Sequence, residues 1–234
     1  MTERVLMLKK LLLRMESRPS FTRLDAMDLR KVVVISLLLC LRIASASAQT
    51  IVDEWASVKP PPAPALKPVM INPQETALLI LDIFAPTCSA ERRPRCLASL
   101  PKIRSLLTEA RAKGTLVIYS LAGTATVADI LKEVAPLGTE PVVRSRSDKF
   151  FGTDLEKILK EKGIKAVIVV GTAAHGAVLY TGSEAAKRGF KVIIPVDGSS
   201  AESTYIEQYT IWHLANNPSW GSEVTLTRSD MIKY

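Results

Sequence analysis

Apolar and polar positions alternate in blocks along residues 76–227, and the blocks predict strands and helices in turn. The run 76–83 (TALLILDI) is apolar with turn residues after it, as expected of a strand buried on both faces. Within 100–113, Ile103, Leu106, Leu107 and Ala110 recur at helical spacing, and Gly114 closes the stretch. Further strands are predicted at 116–120, 141–144, 166–171, 190–197 and 223–227, the 166–171 run (AVIVVG) being the most clearly buried. Helices are predicted at 126–134, 153–162, 175–188 and 200–216. This alternation predicts an α/β fold: a three-layer sandwich with a mainly parallel six-stranded sheet and helices on both faces. Such sheets bind ligands beyond the carboxyl ends of their strands, at a topological switch. Asp82, Ser120, Arg144, the turn 171–177 and Asp197 all follow strands and are therefore the residues to read chemically.

The segment before this block reads differently. Residues 28–31 are a short charged run, 32–41 are apolar apart from Ser36, and Ala46-Ser-Ala48 offers a small-residue cleavage site. These are the three parts of a secretory signal. Residues 1–48 are accordingly expected to be an N-terminal extension plus signal peptide, with Met1 and Met27 both open as the start. An uncleaved anchor is the alternative. The expected location is exported, periplasmic or extracellular, with no membrane association after cleavage. Residues 49–72 form a Pro-rich extended arm, since Pro60-Pro-Pro-Ala-Pro64 suits polyproline II, and 73–234 form the domain.

A chain of 234 residues, 47% hydrophobic and 23% charged, fits one globular domain. The formal charge is +8, but residues 1–48 carry 9 Lys/Arg against 4 Asp/Glu, so the remainder holds only +3. The basicity therefore gives no reason to expect nucleic acid as a partner; a small-molecule ligand is expected instead. Cleavage after residue 48 would leave two cysteines, Cys88 and Cys96. In an exported chain such a pair suggests a disulfide, the alternative being two free thiols. No metal site or cofactor is expected, because no Cys/His cluster has ligand spacing.

Asp82 closes a buried strand, where a carboxylate is costly unless paired, so it is either a general acid or base or a salt-bridged strand end. The small-residue turn Gly171-Thr-Ala-Ala-His-Gly-Ala177 leads into a helix whose N-terminal N–H groups favour an anion. Arg92, Arg93 and Arg95 lie between the two cysteines, either facing a ligand carboxylate or solvated on the surface. Lys149 is either a second cation near the pocket or a surface lysine at a helix entry. His175 is either a proton shuttle or a helix-start residue.

Taken together, these features resemble the isochorismatase-like, or cysteine hydrolase, superfamily from about residue 73 to 227. The resemblance rests on Ala77-Leu-Leu-Ile-Leu-Asp82, Phe151-Gly-Thr-Asp-Leu155, the turn from Gly171 to Ala177, then Val178, Thr181 and Ala185, and Val196-Asp197-Gly198. Cysteine-dependent members use an Asp, Lys and Cys triad in which the thiolate attacks a carbonyl and backbone N–H groups receive the oxyanion. The resemblance implies that Asp82 is the Asp, that Arg144 stands at the Lys position, and that Ala177 stands at the Cys position. Thioester chemistry is then excluded at Ala177. Isochorismatases proper have glycine there, and their A-H pair aligns with Ala174-His175. Two functions follow. One is an exported hydrolase without covalent catalysis, using Asp82 as acid or base, Arg144 to bind substrate with Gly176 among the substrate-binding residues, and the N–H groups of Ala173 and Ala177 to polarise an oxygen. The other is an inactive relative that binds a small ligand or a partner protein. Relatives often self-associate, so a homo-oligomer is a candidate state.

Overall fold

The computed structural model describes residues 50–234; the signal-peptide reading of residues 1–48 lies outside the described residues. The chain divides into two units, residues 1–61 and 62–234. In the first, helix α1 (Ile51–Glu54) is a single turn, capped by Thr50 and Asp53 through a hydrogen bond from the Thr50 amide to Asp53 Oδ2 at 2.9 Å.

The second unit is built on a seven-stranded parallel sheet. In chain order its strands are β2 (Thr76–Leu81), β3 (Leu116–Leu121), β4 (Val142–Arg144), β5 (Ala166–Thr172), β6 (Lys191–Pro195), β7 (Ser199–Ser200) and β8 (Val224–Thr227). The spatial order is β4-β3-β2-β5-β6-β8, with the short β7 paired to the end of β5. The six predicted strands are all present; β7 is the addition. The end of the stretch read as an extended arm carries strand β1 (Val69–Met70), which pairs in parallel with β9 (Ile232–Lys233).

The residues of each central strand divide between two apolar clusters. Leu78 and Ile80 of β2 and Ile168 and Val170 of β5 pack with Ile103, Leu106 and Leu107 of helix α2 (Pro94–Ala112). Ala77, Leu79 and Leu81, with Val167 and Val169, pack on the other face. That face is covered by helices α3 (Leu155–Glu161), α4 (Leu179–Lys187) and α5 (Thr204–Asn216). Period-2 alternation thus feeds two cores from one strand, which gives the three layers. No helix among the described residues is long and apolar enough to cross a membrane.

Several helix boundaries differ from the pattern reading. The predicted 126–134 helix is two one-turn 3-10 segments, Val127–Asp129 and Lys132–Val134. Ile130 and Leu131 between them are extended because Ile130 bridges Phe84 and the Leu131 amide donates to Ile83 O at 3.2 Å. Helix α2 begins six residues early, at Pro94, and holds Pro101 inside it. Helix α5 begins late, at Thr204, because Ser199 and Ser200 pair with β5 and Ser203 caps the helix. The 175–188 stretch opens as a π-helical turn (Ala174–Val178) before α4.

After β2 the chain builds outward through β3 and β4, then returns to place β5 on the other side of β2. The connections leaving the carboxyl ends of these two central strands therefore run to opposite sides, which is the switch position where such sheets bind ligands. Register makes the approach close: Leu81 lies opposite Gly171. Gly171 has φ +138°, and a Cβ there would fall 2.1 Å from the Leu81 carbonyl oxygen. Gly171→Ala is expected to destabilise the domain by more than about 3 kcal/mol. Gly163→Ala, at φ +68° with open space around it, is expected to cost about 1 kcal/mol. Urea unfolding of the two variants measures the difference.

Candidate active site

Asp82 follows β2 directly and is the one residue other than glycine with positive φ (+53°) among those described. Aspartate tolerates this left-handed region better than most side chains. Its carboxylate is held from the end of β3 and from the turn after β4. Ser120, at the end of β3, donates its hydroxyl to Oδ1 at 2.8 Å and lies 3.2 Å from the Asp82 amide. Lys149 donates to Oδ2 at 2.7 Å.

Lys149 is fully buried, with 0% exposure. Its Nζ also donates to the carbonyls of Ser145 at 3.1 Å and Arg146 at 2.5 Å. The three donors of an ammonium are thereby all used. The Lys149 amide donates to Thr181 Oγ1 at 3.2 Å, which fastens this segment to α4 one turn beyond Ala177. Ala177 itself is buried, in the same apolar cluster as Leu81 and Phe150. Asp82, Lys149 and the Ala177 turn are thus joined through strand register and the Thr181 bond.

Burial raises the Asp82 carboxyl above its ordinary value, with the Lys149 ammonium, the Ser120 hydroxyl and the Arg93 guanidinium pulling the other way. Burial lowers Lys149, against the pull of Asp82 and Asp148. The two groups are pushed toward one another in proton affinity. Both placements of the shared proton are also fully bonded. A neutral amine would still donate to the two carbonyls and accept from a protonated Asp82. The pair therefore offers hydrogen-bond partners to a proton on either atom.

Arg144 does not belong to this pair. Its exposed side chain donates to the Gly123 carbonyl at 2.9 Å. The family resemblance put Arg144, the last residue of β4, at the position of the cation. Instead β4 ends at Arg144 and the chain turns inward, so the buried cation is Lys149, five residues on. With all its donors used, Lys149 is also not a free cation for a ligand. Arg92 is exposed and reaches the Pro86 carbonyl at 3.3 Å, as a surface residue does. Arg93 is buried and paired with Glu202 at 2.6 Å. His175 is exposed, its Nδ1 3.9 Å from Glu202 Oε2. Gly176 could carry a side chain at ordinary contact with Ala173. Ala173 accepts from the amides of Gly176 and Val178 through its carbonyl. Asp197 accepts from the Ser229 amide and hydroxyl, both at 2.8 Å, and so ties two connections together.

Cys88 and Cys96 form a disulfide with Cα atoms 5.4 Å apart. Glu202, Thr87 and the part played by Thr181 were not readable as site residues. Ser120 had one signal, its position at a strand end. Among the described residues no three His, Cys, Asp or Glu side chains group in a way that could hold a metal ion.

Comparison with known proteins adds the relationship. A family model described as the isochorismatase domain matches residues 76–228. A Verticillium dahliae protein described as a secreted isochorismatase effector is 29% identical over 142 residues, covering 56% of this chain and 75% of the relative. An N-carbamoylsarcosine amidase from an Arthrobacter species is 27% identical over 145 residues, 50% of this chain and 55% of that protein. Among solved structures, an isochorismatase family protein from Desulfovibrio vulgaris superposes with a TM-score of 0.61 at 19% identity, over 67% of this chain and 95% of that one. A cysteine hydrolase from Pseudomonas syringae pv. phaseolicola gives 0.62 at 20% identity, over 72% and 95%.

Removing the lysine isolates a buried carboxylate. Lys149→Met is expected to cost about 3–5 kcal/mol near pH 7.5. Asp82 in that variant has a folded-state pKa still further above its unfolded value, so its neutral form is favoured by folding. The stability this contributes is present in acid and lost as pH rises through the folded value. The deficit against the parent should therefore shrink as pH falls toward 4. Urea unfolding at several pH values tests this; a deficit that grows in acid contradicts it.

Proposed function

This chain belongs to the isochorismatase family, and on that premise we propose that it is an exported hydrolase using the Asp82–Lys149 pair for acid–base chemistry without a cysteine nucleophile. The observation that carries the reading is the buried pair at 2.7 Å, with the other two Lys149 donors on the Ser145 and Arg146 carbonyls. Asp82 donates to or takes a proton from a small substrate at the switch point, and Lys149 restores its protonation state. An amine can yield its proton where a guanidinium cannot, so the pairing with Lys149 supports acid chemistry that a pairing with Arg144 would oppose. Backbone N–H groups at Ala173 and Ala177 polarise the reacting oxygen.

Ala177 stands where the family resemblance puts the nucleophilic cysteine, and its methyl group forms no covalent intermediate. The substrate is therefore one that water attacks after protonation, such as an enol ether or an ester. The same methyl group favours a second reading, an inactive relative that binds a ligand or partner. Export is supported by the Cys88–Cys96 disulfide, which suits an oxidising compartment. It is also supported by the similarity to a Verticillium dahliae protein named a secreted effector.

A panel of small enol ethers, esters and amides, screened with the parent and Asp82→Asn, tests the proposal. Turnover of a non-amide substrate is expected, with a loss of about 10²–10⁴-fold in the variant. Turnover unchanged in Asp82→Asn would remove the carboxyl from the mechanism. No turnover across the panel favours the binding reading.

A further inference from the structure

Arg93 is buried at 6% exposure, although it lies in a short loop with two other arginines. Three constraints hold it. The disulfide closes residues 88–96 around it. Its Nε donates to Glu202 Oε1 at 2.7 Å, with Nη2 on the same oxygen at 2.6 Å. Its Nη1 donates to the Thr87 carbonyl at 3.1 Å, and the Thr87 hydroxyl in turn donates to the Asp82 carbonyl at 2.5 Å. One residue therefore links this guanidinium to the main chain of Asp82, the residue that carries the site's carboxylate. We propose that Arg93 is a positioning residue for Asp82, a second cation delivered by the disulfide-closed loop, with Glu202 setting how much of its charge reaches the carboxylate.

The charged groups around this arrangement come from four segments. Lys149, with Asp148 beside it, precedes α3; Arg93 enters α2; Glu202 follows β7; His175 lies in the π-helical turn. Lys149 and Arg93 both favour the ionised form of Asp82 against the burial that opposes it. Burial pushes Glu202 up, but Arg93, a backbone donor and His175 outweigh it and hold Glu202 below its ordinary value. Glu202 therefore stays ionised and offsets part of the guanidinium's field. The charged groups are thus arranged in series: Arg93 acts on Asp82, and Glu202 acts on Arg93, with His175 Nδ1 3.9 Å from Glu202 Oε2.

The inference rests on Asp82 being the reacting carboxyl, but its test needs no substrate. The pH titration of the Asp82 side-chain carboxyl is followed by ¹³C NMR, the resonance being assigned by its loss in Asp82→Asn. Arg93→Met is expected to raise the titration midpoint by on the order of one pH unit, and Arg93→Lys to leave most of the parent value. Glu202→Gln should move the midpoint the other way, downward, because Arg93 then acts unopposed. A purely structural role for the Arg93–Glu202 bridge predicts the same direction for both losses. Replacing both cysteines by serine should raise the midpoint in the parent and add nothing in Arg93→Met. An unmoved midpoint in folded Arg93→Met overturns the proposal, as does an upward move in Glu202→Gln. If Arg93→Met does not fold, the Glu202→Gln direction decides. Midpoints that move as stated while turnover survives Asp82→Asn would sink the proposed function and leave this inference standing.

Discussion

A carboxylate and an ammonium, both removed from water, dominate the organisation of this domain. Burying such charges costs several kcal/mol each, and their mutual attraction repays it only when the remaining bonding positions are filled. The fold fills them from separate places. Asp82 follows β2 directly, Ser120 is the penultimate residue of β3, and the turn after β4 brings in Lys149 with the Ser145 and Arg146 carbonyls. The positive φ of Asp82 belongs to the same arrangement, since it redirects a side chain that a continuing strand would send elsewhere. The local backbone irregularity and the irregular path of residues 145–150 both follow from supplying partners to one ion pair.

The sheet was legible because its strands are buried on both faces. Continuous apolar runs such as 166–171 leave few alternatives, and the β–α alternation then restricts topology. The helices were less legible at their ends. Residues 127–134 have helical spacing, but Ile130 and Leu131 bond to Phe84 and Ile83, so tertiary contacts overrule local preference. The site was half legible. Asp82 was marked by a charge ending an apolar strand. Lys149 was open as a second cation near the pocket or a surface lysine at a helix entry; its pairing with Asp82 was not readable, because nothing in the local pattern records a turn that carries it inward. Arg93 was harder still. Its neighbours Arg92 and Arg95 are exposed, and only the contact with Glu202, 109 positions away, separates it from them.

The loop between β2 and α2 makes the opposite use of covalent chemistry from the one the family resemblance suggests. In cysteine-dependent relatives sulfur is the reactive atom. Here Cys88 and Cys96 are joined to each other, buried, and set on either side of Arg93. Sulfur thereby becomes a means of holding a cation in position. A closed loop of this length also removes conformational freedom from the unfolded chain, contributing on the order of 2–3 kcal/mol in the chain-entropy view. A domain that maintains a buried ion pair has use for that contribution.

The contact between Gly171 and the Leu81 carbonyl separates what can vary in the turn from Gly171 to Ala177 from what cannot. Every side chain at 171 is excluded by backbone, whereas Ala177 carries its side chain into an apolar cluster of other side chains. Drift in this turn is therefore channelled. The main-chain frame persists as a rigid mount, while the group it presents can be exchanged one residue at a time. A lineage could in this way set aside one chemistry and try another without first having to rebuild the protein around it.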